Sequence, residues 1–326
     1  MDAGPVAKSP RKRQAVLALL VVTLIWGFTF VWMKQQLAIA EQQLGPEHSA
    51  LVIALSIGLR FGIAAVCMIA FVPAARRGLD GAAWRGGLLL GLLLLVGFVF
   101  QMFGLGEISP GVSAFLTSLY VLFTALLTAA WQRRALHPAL AIGVLLATLG
   151  AGLIRGRPEF AFNSGELLTV ACALMFALHI LATDRVTKRV PAMPVTFTSF
   201  AVVTAGSLCA IVPLLASEDA PSAAALRELL TTPEFVQPLV LTSLLATVVA
   251  ISLMNVFQRE LEPVRAAVLY AFEPVWAAIL GWLYGMEAVT PYLWVGGAAL
   301  LAGNLVAEVG QQRKKATPAL DEPGSA

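Results

Sequence analysis

Ten stretches of this chain are each apolar for roughly the 20 residues that a helix needs to cross the hydrocarbon core of a bilayer. They lie at 15–33, 49–72, 86–106, 111–131, 138–154, 165–183, 195–216, 236–257, 263–284 and 292–307. The joints between them are short and carry Pro, Gly or charge, as in Arg76-Arg77-Gly78 and Glu107-Ile108-Ser109-Pro110. The longest joint, 217–234, is acidic and long enough for a short surface helix. Only 13% of the 326 residues are charged, against about 25% in a soluble domain. With 59% hydrophobic residues and a mean hydropathy of +0.82, the chain has too little polar surface for water. The expected fold is an all-α integral membrane protein with ten transmembrane helices, whose first partner is the lipid bilayer. The net charge of +3 gives no reason to expect a nucleic-acid partner.

Orientation follows the bias of Lys and Arg. With the N-terminus in the cytoplasm, 17 of the 22 basic residues fall on the cytoplasmic side, among them Arg11, Lys12, Arg76, Arg133, Arg134 and Arg185. Only four (Lys34, Arg155, Arg157 and Arg227) fall outside, and Arg60 lies within a span. That asymmetry fits an even number of spans with both termini cytoplasmic. The first run admits a second reading, a signal peptide ending at Ala38-Ile39-Ala40. Its apolar stretch is long for an h-region of about 7–15 residues, and cleavage would leave nine spans. Residues 1–14 form a basic N-terminus, and the polar segment 311–326 is expected to be a disordered cytoplasmic tail.

A shift of 153 residues aligns two parts of the chain without a gap. Glu107 and Pro110 fall on Glu260 and Pro263, Pro138 on Pro291, Gly143 on Gly296 and Gly150 on Gly303. Each copy then holds five spans, 15–156 and 157–310. Five is odd, so the second copy enters the membrane upside down. Two inverted five-helix repeats are the architecture of many secondary transporters, because pseudo-equivalent halves can open one central site to either side in turn.

The fourth and ninth spans carry the clearest polar stripes. Ser113, Thr117, Tyr120, Thr124, Thr128 and Trp131 recur at helical spacing on one face. The same offsets in the ninth span give Ala266, Tyr270, Glu273, Ala277, Gly281 and Tyr284. Such faces turn away from lipid. The small and hydroxyl positions serve helix packing equally well, whereas Tyr120, Tyr270 and Glu273 point to a cavity. Glu273 stands ten residues past Pro263, near mid-depth, where an unpaired carboxylate costs about 2.5–3.5 kcal/mol on insertion scales. It must be protonated, paired or wetted. It is therefore the first candidate for proton coupling or for holding a solute amine, with an ion pair to mid-depth Arg60 as the structural alternative. Arg60 itself is read either as a ligand for a solute carboxylate or as an anchor. Trp26 and His179 share one depth in the two copies, and Gln101, Asn255 and Trp276 complete the candidate substrate-binding cavity. A lone His in a span serves packing as readily as proton relay. The pairs Gly58/Gly62, Gly87/Gly91 and Gly281/Gly285 read as packing motifs.

No GxxxxGK[ST] loop, HExxH string or Ser/His/Asp set is present, and Cys67, Cys172 and Cys209 sit singly in apolar runs. The sequence thus gives no grounds for an enzyme, a cofactor or a metal. Three strings bring a family to mind: Leu24-Ile-Trp-Gly-Phe-Thr-Phe-Val31, Ser113-Ala-Phe-Leu-Thr-Ser-Leu-Tyr120, and Ala271-Phe-Glu-Pro-Val275 followed by Gly285-Met-Glu287. In their order and doubling the chain resembles the EamA-type transporters of the drug/metabolite transporter superfamily. The resemblance implies a ten-helix carrier of the bacterial inner membrane, with alternating access to a central cavity. It implies export of a small-molecule substrate such as an amino acid or related metabolite, with proton coupling and a monomer or homodimer left open. Val121 and Arg134 depart from the family pattern, which often has Pro and Glu there, so the fourth span is expected to be less kinked than the ninth. Two rivals stand beside this reading: a lipid or nucleotide-sugar carrier, and a membrane enzyme acting on a lipid-borne substrate.

Overall fold

The computed structural model describes residues 10–132, 138–153, 163–261, 266, 269, 270 and 272–316. The pair Arg133 and Arg134, the basic residues Arg155 and Arg157, and most of 262–271 lie outside the described residues. We number the main helices α1 (Pro10–Leu44), α2 (Ser49–Phe71), α3 (Gly81–Glu107), α4 (Pro110–Thr117 and Tyr120–Trp131) and α5 (Pro138–Leu153) in the first half. The second half holds α6 (Ser164–Thr187), α7 (Ala192–Leu215), α8 (Pro233–Leu241, Thr242–Val249 and Ala250–Phe257), α9 (Glu273–Leu283) and α10 (Pro291–Ala316). A short helix, Ala223–Leu229, occupies the acidic joint. No strand occurs among the described residues.

Seven of these helices are long and apolar enough to cross a membrane: α1, α2, α3, α4, α6, α7 and α8. The expected count of ten spans is therefore not reached on the described residues. Of the other three expected spans, α5 and α9 cover only 16 and 11 residues, the apolar part of α10 is the shorter stretch Pro291–Val306, and the chain leading into α9 is described only in part. Two other boundaries differ from expectation. α1 runs eleven residues beyond Met33 to Leu44, because nothing breaks it before Gly45, whose φ of 91° only glycine adopts readily, and Pro46. α10 continues to Ala316, so helix replaces the disorder expected from Gln311 to that point. The straight-chain residues Gln311 to Lys315 favour helix, and the next breaker is Pro318.

The packing inverts the pattern of a soluble protein. Leu17, Val21, Leu88, Leu208 and Val212 stand exposed, while Thr23, Thr196, Thr198 and Ser199 are buried. Helix ends are closed by side chains. Asp80 accepts from the amides of Ala82 and Ala83 at the start of α3. At its other end the Lys34 ammonium donates to the carbonyls of Leu105, Gly106 and Ile108 at 2.8, 2.9 and 3.1 Å. α3 packs on α7 through small residues, since a Cβ on Gly87 would strike Thr198 and one on Gly91 would strike Ser199 and Val202. These glycines are packing motifs, as the sequence suggests.

The two copies exchange contacts under the 153-residue shift. A Cβ on Gly150 of α5 would lie 2.5 Å from Gly296 O and Leu300 N of α10. A Cβ on Gly303 of α10 would lie 2.6 Å from Gly143 O and Ala147 N of α5. Position 147 maps onto 300, and 143 onto 296, so the crossing is reciprocal about a pseudo-twofold axis.

At the start of α4, Glu287 accepts from the Ser109 hydroxyl at 2.9 Å and from the Gly111 amide at 2.7 Å. It caps the first copy's helix from the α9–α10 connection, outside the spans. Partial burial raises its carboxyl above the ordinary carboxylate range, and these two hydrogen bonds oppose the rise. A carboxyl that titrates higher when folded contributes most below its unfolded value, and that contribution is lost as pH rises through the folded one. Glu287→Gln keeps the shape and removes the titration. Wild type should therefore lose thermal stability relative to Glu287→Gln as pH climbs above about 4, the ordinary glutamate value, and detergent melts at rising pH check the slope.

A candidate substrate cavity between the two halves

The second segment of α4 and the start of α9 fall at the same place in their repeats. In α4 the helix is interrupted at Ser118 and Leu119, and Tyr120 begins its second half. In the second copy Glu273, followed by Pro274, begins α9. Position 120 maps onto 273 under the 153-residue shift. The break in α4 needs no proline: the Ser118 hydroxyl bonds the Phe115 carbonyl at 2.7 Å. Asn304 of α10 donates to both the carbonyl and the hydroxyl of Ser118 at 3.2 Å. Ser118 and Leu119 keep right-handed helical φ and ψ, and the expected contrast in kinking with the ninth span falls largely outside the described residues.

Tyr120 and Glu273 meet. The Tyr120 phenol donates to Glu273 Oε2 at 3.4 Å, a long bond between buried groups. Tyr270 lies beside them, its ring 6.5 Å from that of Tyr120 and 5.4 Å from that of Trp26. Its phenol donates to Gln258 Oε1 at 3.1 Å, and Gln258 in turn donates to the Ile180 carbonyl of α6. These groups border a cavity of about 60 Å³, which Arg60, Gln101 and His179 also line. On that measure a water takes about 10–15 Å³, so the space holds a few waters. A larger solute fits only if the walls move apart.

Arg60 is the twelfth of the 23 residues of α2 and is buried at mid-length. Its Nε donates to Thr247 Oγ1 at 2.6 Å, its Nη1 faces Met33 Sδ at 3.4 Å, and its guanidinium lies 4.6 Å from the Phe98 ring centre. The widened π-helical turn at Thr242–Val249 of α8 supplies the acceptors here. Thr247 holds Arg60, and the carbonyl of Ala246 accepts from Trp26 Nε1 at 3.1 Å. Among the described residues Glu273 has no ion-pair partner. The Arg60–Glu273 pair considered from sequence is not made, because Thr247 and Phe98 already hold the guanidinium. Both charges nevertheless border one cavity.

Seven of the ten candidate positions come together: Trp26, Arg60, Gln101, Tyr120, His179, Tyr270 and Glu273. Three do not. Trp276 is 38% exposed on the outer surface of α9, since three residues past Glu273 its Cβ already packs over Gly27 of α1. Thr117 lies before the break and faces Cys172 of α6. Asn255 donates to Thr196 Oγ1 at 2.6 Å and braces α8 on α7. His179 Nε2 has no hydrogen-bond partner among the described residues, so it faces the cavity as a free donor or acceptor.

The sequence reading missed Thr29, Phe98 and Met254, which line the same space. Thr29 stands one turn beyond Trp26 and was findable by spacing. Phe98 and Met254 are apolar in apolar spans, and nothing in their type separates them from lipid-facing neighbours.

A multi-pass helical membrane protein, built from two equivalent halves that meet at a largely apolar cavity studded with a few polar side chains, is the class that this fold and site define. The model of the EamA-like transporter family matches residues 13–156 and again 163–307. The chain belongs to that family, and through it to the drug/metabolite transporter superfamily. An uncharacterized transporter of Archaeoglobus fulgidus is 27% identical over 301 residues, covering 92% of this chain and 87% of the relative. A crystal structure with 22% identity matches 90% of this chain and 99% of its own with a TM-score of 0.57, a likeness of fold. Family and relative alike point to a membrane transporter.

Proposed function

We propose that this chain is a secondary transporter that exports a small organic metabolite, such as an amino acid or a related solute, across a bacterial inner membrane. The observation that supports this most is the meeting of Tyr120 and Glu273, equivalent residues of the two repeats, on a cavity bordered by both halves. Such a site faces one side when the halves lean one way and the other side when they lean back. The moving bodies are residues 15–156 and 157–310, with ten spans and both termini cytoplasmic. The chain works as a monomer or homodimer with no partner but solute and bilayer.

Glu273 couples the movement to protons. It is buried, its one hydrogen bond here is long, and no described cation neutralises it. A group so placed is stable in lipid when it carries a proton or holds a solute amine, and it exchanges one for the other as the cavity opens. The test is a metabolite profile of the growth medium of bacteria expressing wild type, Glu273→Gln or an empty vector at matched membrane abundance. One small solute should accumulate outside to a high level with wild type, to a lower one with Glu273→Gln, which only equilibrates it, and not with the empty vector. Unchanged profiles together with a new modified lipid in the membrane fraction would replace the transporter with an enzyme.

A further inference from the structure

The central cavity is the innermost of three that lie in succession. The second, about 10 Å³, shares Arg60 and Phe98 with the first. It has room for about one water. The third, about 220 Å³, shares Met102 with the second and reaches Gly45, Pro46 and Ser49, at the turn between α1 and α2, in its lining. Phe98 and Met102, which the second cavity shares with its two neighbours, are one helical turn apart on α3, and this second cavity is the smallest of the three. Its polar lining is a short ladder. Ser56 sits one turn from Arg60 on α2, buried and with its hydroxyl unpartnered among the described residues. Gln36 of α1 lies opposite, also buried.

We propose that these cavities are the passage by which a solute's anionic group, such as a carboxylate, moves between the central site and the face bearing the α1–α2 turn, with Arg60 as its ligand at the constriction. The proposal rests on the transporter reading for its solute, but the passage stands or falls by its own chemistry. Arg60 carries five N–H donors. Two contacts, to Thr247 and Met33, are made in the structure, which leaves donors to accept a carboxylate in the planar, forked fashion that guanidinium suits. Its contact with Phe98 makes it part of the partition between first and second cavities rather than an anchor behind the wall. The other charges near the route are accounted for. Glu107 is held by Ser164 and the Gly165 amide, and Lys34 is spent on three carbonyls. Glu41 borders only the outermost cavity, so anion preference arises at Arg60 and not at the mouth.

The test uses two thiol reagents of opposite charge, the sulfonatoethyl and trimethylammonium-ethyl methanethiosulfonates, on protein in nanodiscs. Ser56→Cys and Gln36→Cys are made in a background with Cys67, Cys172 and Cys209 changed to alanine. Rates are normalised to a free small thiol. Both sites should react. Side chains at i and i+4 stand about 5–6 Å apart, so at Ser56→Cys the anionic reagent should win by about tenfold even in a water-like dielectric. Arg60→Gln should abolish that preference and Arg60→Lys should keep it. Failure of Ser56→Cys to react in monodisperse protein would overturn the passage. So would an anionic preference that Arg60→Gln leaves unchanged. If Arg60→Gln does not fold, the reagent ratio in the Arg60 protein decides: a ratio near one overturns the proposal. Labelling needs no transport, so an anion-selective passage in a protein with a silent medium profile would remove the transporter reading alone.

Discussion

Glu273→Gln should leave solute exchange in proteoliposomes intact and abolish accumulation driven by a pH gradient. Gln has nearly the volume of Glu and still offers an oxygen to the Tyr120 phenol, now 3.4 Å from Glu273 Oε2. The cavity wall therefore survives, and only the titrating proton is removed. If one proton moves per solute, a gradient of one pH unit supports about a tenfold concentration ratio, since a factor of ten is about 1.4 kcal/mol. Wild type should approach that ratio with a labelled amino-acid mixture, and the variant should level at one. Loss of exchange as well would make Glu273 a ligand for the solute amine. Retention of both activities would reduce it to a packing residue and break the coupling proposal.

Gly150→Ala and Gly303→Ala should each destabilise the protein, and by similar amounts. The added methyl at either site meets backbone atoms of the opposite helix at 2.5–2.6 Å. Backbone cannot rotate aside as a side chain does, so α5 and α10 must separate along their length. Overpacking of this kind costs about 1–3 kcal/mol. Melts in detergent should show the pair lowered together, with Gly106→Ala nearly silent because a Cβ there meets nothing within 4 Å. A clear inequality between the two would mean that the pseudo-twofold axis does not govern this crossing.

The repeat shows why some of the site was legible in advance. Tyr120 and Glu273 stood out because polar groups in lipid-facing sequence are expensive and therefore informative. The shift of 153 residues linked them before any contact was known. Trp276 failed the same test for a simple reason. An aromatic ring is comfortable in a cavity and in lipid alike, so its type does not tell which way it faces. Asn255 failed differently: a polar group in a span needs only one partner, and Thr196 provided it locally.

The turn within α4 is marked by no proline. There the Ser118 hydroxyl bonds the Phe115 carbonyl, and Asn304, 186 residues away, donates to Ser118, just before the repeat position at which Glu273 begins α9. Likewise the π-helical turn of α8 lies within an ordinary apolar run. Its purpose shows only when Trp26 and Arg60 are seen using Ala246 and Thr247.

By itself the sequence determined the solvent, the helical class, the doubling of the chain and the small set of polar residues worth placing. Those properties depend on composition, period and offset, which are local or repeat along the chain. The tertiary structure decided which polar residues share a space, that Arg60 is held by Thr247 and Phe98 instead of Glu273, and which side chains border neighbouring cavities. Each of these turns on distances between segments far apart in the chain, and in an apolar bundle no local pattern encodes them, because lipid and the protein interior make nearly the same demands of a side chain.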